Sequence, residues 1–251
     1  SNSVTVNTTT ANNSQMGGSF QGTALNLTGT VTTLAGPTTS SSGYNDSTTA
    51  SNALFYYPAG ITTDGTNLYV ADHYNNKIRK IVISSGVVTT IAGTETFSTP
   101  AGITTDGTNL YVSEFSGGKI RKIVISSEEV STLVNSTLIS SPFSITTDNT
   151  NLYVTDFNNK KIFKIVISSS QVSVLAGPTE FNGIYGITTD GTNLYAVDYL
   201  AKKIFKIVIS SGQVSVLAGP TGFTGPFGIG TDGTYLYVVD YGVEKILKVL
   251  I

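Results

Sequence analysis

Acidic residues recur at one place along this chain, and a lysine follows each of them five residues later. The acids are Asp72, Glu114, Asp156, Asp198 and Asp240, and the lysines are Lys77, Lys119, Lys161, Lys203 and Lys245. A ring of carboxylates could bind a metal or act as general acids, but catalysis needs one residue whose pKa differs from the rest, and these five are equivalent. The spacing instead predicts five ion pairs between neighbouring strands, each worth under about 1 kcal/mol when exposed.

Other residues that perform chemistry are scarce. His73 is the single histidine, and aromatic residues stand at its position in the later copies: Phe115, Phe157, Tyr199 and Tyr241. A second set of acids precedes Gly or Asn in turn-like stretches: Asp64, Asp106, Asp148, Asp190 and Asp232. Each such turn supplies one carboxylate, whereas calcium needs about six or more oxygens. Without Cys or a Gly-x-Ser-x-Gly motif, the sequence predicts a protein that is not an enzyme and holds no metal or cofactor.

These residues belong to a repeat. The stretch GITTDGTNLYV starts at Gly60 and recurs at intervals of 42 residues, from Gly102, Ser144, Gly186 and Gly228. In the first copy, apolar alternation and turn residues predict strands over 60–63, 68–72, 77–83 and 87–92, and no segment has helical periodicity. Four-stranded antiparallel units of this length in series predict an all-β fold, a β-propeller whose blades surround a central axis.

Two parts of each copy suggest a family. The stretch from Asp72 to Ile81, DHYNNKIRKI, and the following VTTIAG from Val88 resemble the NHL-repeat propellers over roughly residues 31 to 251. Lys77 and Ile78 stand where the motif that names that family has His and Leu. The resemblance implies a propeller fold and a secreted bacterial-type repeat protein. It implies no single activity, because NHL-type propellers include binding modules as well as lyases and hydrolases.

The number of blades depends on residues 31–36, VTTLAG, which match the fourth strand of every later copy. Five blades are predicted, with this strand closing the C-terminal sheet so that the ring has no free edge. Six blades are the alternative, with residues 1–36 as a degenerate sixth. The length of this segment nearly fits a blade, because Val4 lies 27 residues before Val31, the same separation that Ile61 has from Val88 in the first copy. The predicted domains are a lead-in over 1–30 and a propeller over 31–251.

The lead-in carries no charge, since the first charged residue is Asp46, and it includes β-like alternation at Leu25 and Leu27. A charge-free, β-prone segment can add as a strand to the sheet edge of another subunit, because main-chain pairing needs no side-chain code. This predicts, as an alternative function, a subunit of a filament or oligomer built by N-terminal strand addition.

A binding surface is predicted where the copies differ. One position in the loop just before each inner strand is small in two copies and aromatic in three: Ala59, Ala101, Phe143, Tyr185 and Phe227. These would form an asymmetric apolar rim at one mouth of the axis. An insertion over 37–57 adds Tyr44, Tyr56 and Tyr57 as further binding candidates. A second aromatic or apolar set is predicted to pack between blades: Phe55, Phe97, Ile139, Phe181 and Phe223.

The predicted function is that of a non-catalytic secreted scaffold that binds proteins or copies of itself. A net charge of −2 without a basic cluster argues against nucleic acid, and no apolar run is long enough to cross a bilayer. Scarce charge and several Asn-x-Ser/Thr triplets favour an extracellular or periplasmic location, with a signal already removed. A carbohydrate-binding propeller and a lyase- or hydrolase-type enzyme are the remaining alternatives.

Overall fold

The computed structural model describes residues 32–37, 41–92 and 96–251, and Leu34–Ile251 forms one compact unit. Five antiparallel sheets follow one another along the chain. Blade 1 contains β1 (Pro58–Thr63), β2 (Asn67–Asp72), β3 (Lys77–Val82) and β4 (Val88–Ile91). Blade 2 contains β5 (Pro100–Thr105), β6 (Asn109–Glu114), β7 (Lys119–Val124) and β8 (Val130–Asn135). Blade 3 contains β9 (Pro142–Thr147), β10 (Asn151–Asp156), β11 (Lys161–Val166) and β12 (Gln171–Ala176). Blade 4 contains β13 (Ile184–Thr189), β14 (Asn193–Asp198), β15 (Lys203–Val208) and β16 (Val214–Ala218). Blade 5 contains β17 (Pro226–Thr231), β18 (Tyr235–Asp240) and β19 (Lys245–Leu250).

The predicted all-β propeller with five blades is confirmed. Within each sheet the strands pair in chain order, and the first strands of successive blades lie next to one another around the axis. In the described part of the chain, helix is limited to two 3-10 turns, Ala50–Asn52 and His73–Asn75. The fold therefore follows the period of the sequence, one repeat to a blade.

The strand predicted to close the ring is not seen to do so. Residues 32–37 form no strand, and within the described ranges β19 has no neighbour on its outer side. The backbone N–H of Gly36 donates instead to the carbonyl of Ala50, at 2.9 Å, so this segment is bound to the insertion that follows it. The remainder of the lead-in, residues 1–31, lies outside the described residues.

The repeated acid before Gly or Asn forms a turn, as predicted. In blade 4, Asp190 accepts hydrogen bonds from the backbone N–H groups of Thr192 and Asn193, at 2.8 and 2.7 Å, and from the Tyr195 hydroxyl, at 2.8 Å. Burial works to raise the pKa of Asp190, but these hydrogen bonds outweigh it and lower the pKa to about 2. Burial and the same carboxylate raise the pKa of Tyr195 to about 12. The turn is thus stabilised as a carboxylate beside a neutral phenol.

Alternation along each second strand builds the core between blades. In β10, Leu152 and Val154 pack towards blade 2, whereas Tyr153 packs towards blade 4. The prediction of packing between blades is confirmed for four of its five positions, Phe97, Ile139, Phe181 and Phe223, which are buried in clusters that combine two neighbouring blades. Phe55 instead packs against the core of blade 1 alone.

Two hydroxyl groups tie the inner strands of the middle blades together. Ser113 accepts from the backbone N–H of Gly102, at 2.9 Å, and donates to the carbonyl of Phe143 in the next blade, at 3.0 Å. Thr155 makes the same connection one blade later, because it donates to the carbonyl of Tyr185. These bonds fix the positions of Phe143 and Tyr185 relative to the axis.

Candidate functional site

The five equivalent acids do not pair with the lysines that follow them. Each acid lies opposite its lysine in the strand ladder, as Asp198 lies opposite Lys203. Among the described residues, however, none of these acids forms an ion pair with its lysine, because the carboxylates are buried and bind backbone N–H groups. Asp198 accepts from Asn182 at 2.6 Å, Gly183 at 3.0 Å and Ala201 at 2.8 Å. The acids therefore hold the loop before each inner strand, and the prediction of five cross-strand ion pairs was wrong.

Arg79 anchors the insertion to blade 1. Its guanidinium is fully buried and donates to the carboxylates of Asp72 and Asp46, both at 2.8 Å, and to the carbonyls of Asn45 and Leu54, both at 2.8 Å. Tyr44 lies against this group, with its ring centre 5.1 Å from the guanidinium carbon. Tyr44 is thus part of the anchor on the outer strands and lies apart from the predicted rim.

Three residues of the predicted rim contact one another at the mouth of the axis. The ring centres of Phe143 and Tyr185 are 4.9 Å apart, those of Phe143 and Phe227 are 5.4 Å apart, and those of Tyr185 and Phe227 are 4.8 Å apart. Two of these contacts are edge-to-face, a favoured arrangement for aromatic pairs. The other two rim positions, Ala59 and Ala101, line the axial cavity beside this triad.

The triad is the centre of a larger aromatic surface. Phe115 contacts Phe143 at 6.0 Å between ring centres, and Phe157 and Tyr199 contact Tyr185 at 4.9 and 5.7 Å. We call the whole set the aromatic face. Ring contacts join Tyr56, Tyr57, His73, Tyr74, Phe115, Phe143, Phe157, Tyr185, Tyr199 and Phe227. Tyr241 is included because it follows the second strand of blade 5 as Tyr199 follows that of blade 4.

The insertion extends this face over blade 1. Tyr57 contacts Tyr74 at 5.1 Å and His73 at 6.0 Å, and His73 contacts Phe115 at 6.5 Å. The backbone holds these rings in place, since the N–H of Tyr56 donates to Asp72 at 2.8 Å and that of Tyr74 donates to the carbonyl of Tyr56 at 3.1 Å. The Tyr56 ring contacts Tyr74 at 5.1 Å, and Tyr74 contacts His73 at 4.9 Å, so an unbroken series of ring contacts runs from Tyr56 to the triad.

The position after each second strand was recognised in the sequence as aromatic but was not assigned to the site. That position holds His73, Phe115, Phe157, Tyr199 and Tyr241. Its constancy across five copies was the available signal. The repeat alone does not show that the end of each second strand lies beside the start of the inner strand. The structure shows this pairing, for example between Asp72 and Pro58.

The aromatic face is neutral at its centre and charged at its edge. Burial, with the phenols of Tyr199 and Tyr57 nearby, raises the pKa of Tyr185, so its hydroxyl stays protonated and able to donate. The turns at this end of the blades carry Lys160, Lys202 and Glu244, all exposed. An apolar aromatic centre with a polar edge is the usual composition of a protein interface.

An axial cavity of about 380 Å³ lies behind the triad. Its wall is made of inner-strand glycines and isoleucines, including Ile103, Ile145 and Ile187. Among the described residues, no group of three or more His, Cys, Asp or Glu is placed to hold a metal ion. Nor does any helix in the described ranges have the length and apolar character needed to span a membrane.

Comparison with known proteins gives structural similarity alone. No family model matches the chain, and no curated protein matches it. A chain in the crystal structure of a nidogen/laminin complex is similar with a TM-score of 0.69 and 21% identity, over 77% of this chain and 75% of that one. A catalytically inactive virginiamycin B lyase from Staphylococcus aureus with quinupristin is similar with a TM-score of 0.63 and 22% identity, over 77% of this chain and 70% of that one. These similarities support the propeller fold, and the NHL-type assignment stays a prediction.

Proposed function

We propose that this chain is a non-catalytic binding propeller that recognises another protein through the aromatic face. The observation that carries the proposal is the continuous series of ring contacts from Tyr56 to the triad, with several rings open to solvent. Tyr57 and Tyr241 are 62% and 73% exposed. Aromatic residues in the centre of an interface contribute much of its binding energy, because they bury large areas at a low cost in side-chain entropy.

Two further features support a protein partner. The rings are held by backbone hydrogen bonds and by one another, so little ordering is needed on binding. The charged residues stand at the edge of the face, where they can select a partner without being buried. The similar structure of a nidogen/laminin complex is an example of protein recognition in this fold, and it serves here as an analogy only.

The non-catalytic part of the proposal rests on how the acids are used. Asp72, Asp156, Asp198 and Asp240 are fully buried, and each accepts hydrogen bonds from backbone N–H groups. A carboxylate that is buried and occupied by these hydrogen bonds is enclosed away from a substrate. Within the described residues, the aromatic face brings no acid and base together. An extracellular setting, suggested by the charge-poor composition, belongs to the same proposal.

The test is a selection from a peptide library displayed on phage, followed by affinity measurements on variants. The site variant carries Tyr57→Ser and Tyr241→Ser. The control variant carries Val174→Ser and Val216→Ser, which remove exposed apolar side chains from the outer strands β12 and β16. Selected peptides should bind the wild type and the control equally and the site variant at least about tenfold more weakly, as expected for interface anchors. Equal binding to all three proteins would overturn the proposal.

Carbohydrate binding is the second candidate, and the exposed tyrosine rings favour it. Tyr57 and Tyr241 present both a ring surface, on which a sugar can stack, and a phenol that can hydrogen-bond. A glycan array probed with the wild type and the same two variants separates the candidates. Glycan binding that is lost in the site variant, together with no enriched peptide, would favour this second function. Strand addition by residues 1–30 stays a prediction, because those residues lie outside the described ranges.

A further inference from the structure

One position in the turn after each second strand has a left-handed backbone. Its φ is 55° at Asn76, 60° at Gly118, 53° at Lys160, 54° at Lys202 and 55° at Glu244. Gly adopts this conformation at the lowest cost and Asn tolerates it, because in other residues Cβ comes close to the backbone carbonyl. Blades 1 and 2 follow that preference, whereas blades 3, 4 and 5 place a long charged side chain at this position.

The two lysines do not stabilise the turns in which they lie. The side chain of Asn76 does so in blade 1, since its oxygen accepts from the backbone N–H of Thr99 at 2.8 Å. Lys160 and Lys202 are exposed, and in the described part of the chain neither ammonium group forms a hydrogen bond or an ion pair. Residues held in a sparsely populated backbone conformation are concentrated at binding and catalytic sites. These two lysines therefore point to binding.

The turns that carry the lysines border the aromatic face. Lys160 lies three residues after Phe157, and Lys202 lies three residues after Tyr199. The ring of Tyr185 contacts both aromatic residues, at 4.9 and 5.7 Å between ring centres. The two lysines thus flank one group of three aromatic rings on neighbouring blades.

Hydrogen bonds to buried acids fix the backbone of both turns. The N–H of Asn159 donates to Asp156 at 3.0 Å, and the N–H of Ala201 donates to Asp198 at 2.8 Å. Each donor directly precedes one of the lysines in the chain. The two ammonium groups therefore extend from well-held backbone positions, which lowers the cost of ordering them on binding.

Positive charge prevails at this part of the edge. Lys161 and Lys203 directly follow the two lysines, and within the described ranges they form no ion pair with the buried acids opposite them. The loop between blades 3 and 4 carries one exposed acid, Glu180. Four lysines beside one exposed carboxylate favour an anionic group on the partner. Glu244, at the same turn position in blade 5, would repel that group and so direct it to blades 3 and 4.

We propose that the partner of the aromatic face is an acidic protein segment whose carboxylates contact Lys160 and Lys202. This inference rests on the proposed function and adds the charge and the orientation of the partner. Apolar side chains of the segment would cover Phe157, Tyr185 and Tyr199, while its carboxylates reach the lysines at the edge, where ion pairs stay partly hydrated. An acidic peptide supplies both kinds of group in one chain.

Three pentapeptides test the proposal, each with a central tryptophan that is flanked by four glutamates, four glutamines or four lysines. The fluorescence of the peptide tryptophan reports binding, because the chain itself contains no Trp. At low ionic strength the wild type should bind the glutamate peptide at least about fivefold more tightly than the glutamine peptide, as two exposed ion pairs allow. It should bind the lysine peptide most weakly, and added salt should reduce both differences.

Two variants locate the contact. The lysine variant carries Lys160→Gly and Lys202→Gly, which introduce the residue that blade 2 has at this position, and its urea midpoint should be no lower than that of the wild type. The charge control carries Lys164→Gln and Lys206→Gln, which remove the same charge from β11 and β15 of the same blades. The charge control should keep the preference for the glutamate peptide, and the lysine variant should lose it.

The outcomes separate this inference from the proposed function. Equal affinity of the wild type for the glutamate and glutamine peptides would overturn the inference, and it would leave the proposed function standing if Tyr57→Ser with Tyr241→Ser weakens both. A glutamate preference that persists in the lysine variant would also overturn it, as would failure of the wild type to bind the glutamate peptide. Binding of heparin without binding of that peptide would overturn it in favour of an anionic glycan. A lysine-dependent preference that the two tyrosine substitutions leave at full affinity would support the lysine contact and count against the proposed function.

Discussion

Arg79→Phe is expected to release the insertion while it preserves the packing of blade 1. The substitution copies the natural arrangement of blades 3 and 4, where Phe163 and Phe205 occupy the same ladder position. In those blades the buried Asp156 and Asp198 are held by hydrogen bonds and have no arginine beside them. The chain itself thus shows that a phenylalanine fits next to the buried acid.

The magnitude follows from what Arg79 contacts. Asp72 would keep two other donors, the N–H of Tyr56 at 2.8 Å and the side-chain amide of Asn75 at 2.8 Å. The carbonyls of Asn45 and Leu54 would lose a charged donor each. Removing one partner of a buried ion pair lowers the free energy of unfolding by about 3–5 kcal/mol. Because Asp72 keeps its other donors, we expect Arg79→Phe to lower it by about 3 kcal/mol. That is a large part of the stability of a typical domain.

Urea unfolding followed by circular dichroism measures the loss, and chymotrypsin cleavage within residues 43–57 reports whether the insertion is released. Asp46→Asn is the comparison variant, because it removes the charge of the partly exposed partner of Arg79 and one acceptor, the oxygen that the Thr90 backbone N–H binds at 2.9 Å, and it should cost about 1 kcal/mol. An Arg79→Phe protein that unfolds within about 1 kcal/mol of the wild type and is cleaved at the same rate would refute this account of the anchor.

Three more predictions concern the turns and the inner strands. Burial opposes the hydrogen bonds to Asp190, but these bonds prevail and lower its pKa to about 2. The free energy of unfolding should therefore fall as the pH decreases from about 4 to about 2. Urea titrations at several pH values measure this change, and a free energy of unfolding that increases over that range would contradict the prediction. Tyr195→Phe should cost about 1 kcal/mol at neutral pH. It should also reduce the loss of stability between about pH 10 and 12, because in that range the phenol ionises in the unfolded chain, whereas burial and Asp190 raise its pKa in the folded protein to about 12. Identical alkaline profiles for the two proteins would count against this prediction. Gly102→Ala places a Cβ 2.7 Å from the carbonyl of Phe143 and should lower the free energy of unfolding by about 1–3 kcal/mol. In the control, Gly230→Ala, the new Cβ meets no atom within 4 Å, so the free energy of unfolding should change by under about 0.5 kcal/mol. Equal thermal midpoints for the two variants would show that the inner strands are less tightly packed than described.

The rim was only partly predictable from the sequence. Alignment of the copies placed Phe143, Tyr185 and Phe227 at one equivalent position, and the structure brings their rings into contact. Ring contacts also join to them the aromatic position after the second strand in blades 1 to 4, which the alignment had identified but had not assigned to the rim. Tyr44 was grouped with the binding candidates because it lies in the insertion, yet its ring packs beside Arg79.

The sequence by itself determined the blade: its period, its four strands and its turn. These features depend on residues close together in the chain, such as Asp190 and the backbone N–H of Asn193 three residues later, so local rules suffice to predict them. Only the tertiary structure decided that the repeated acids hold loops rather than lysines, and that aromatic rings from different blades form one face. Each of these depends on the distance and angle between blades, and packing around the axis fixes those quantities while the repeat itself does not encode them.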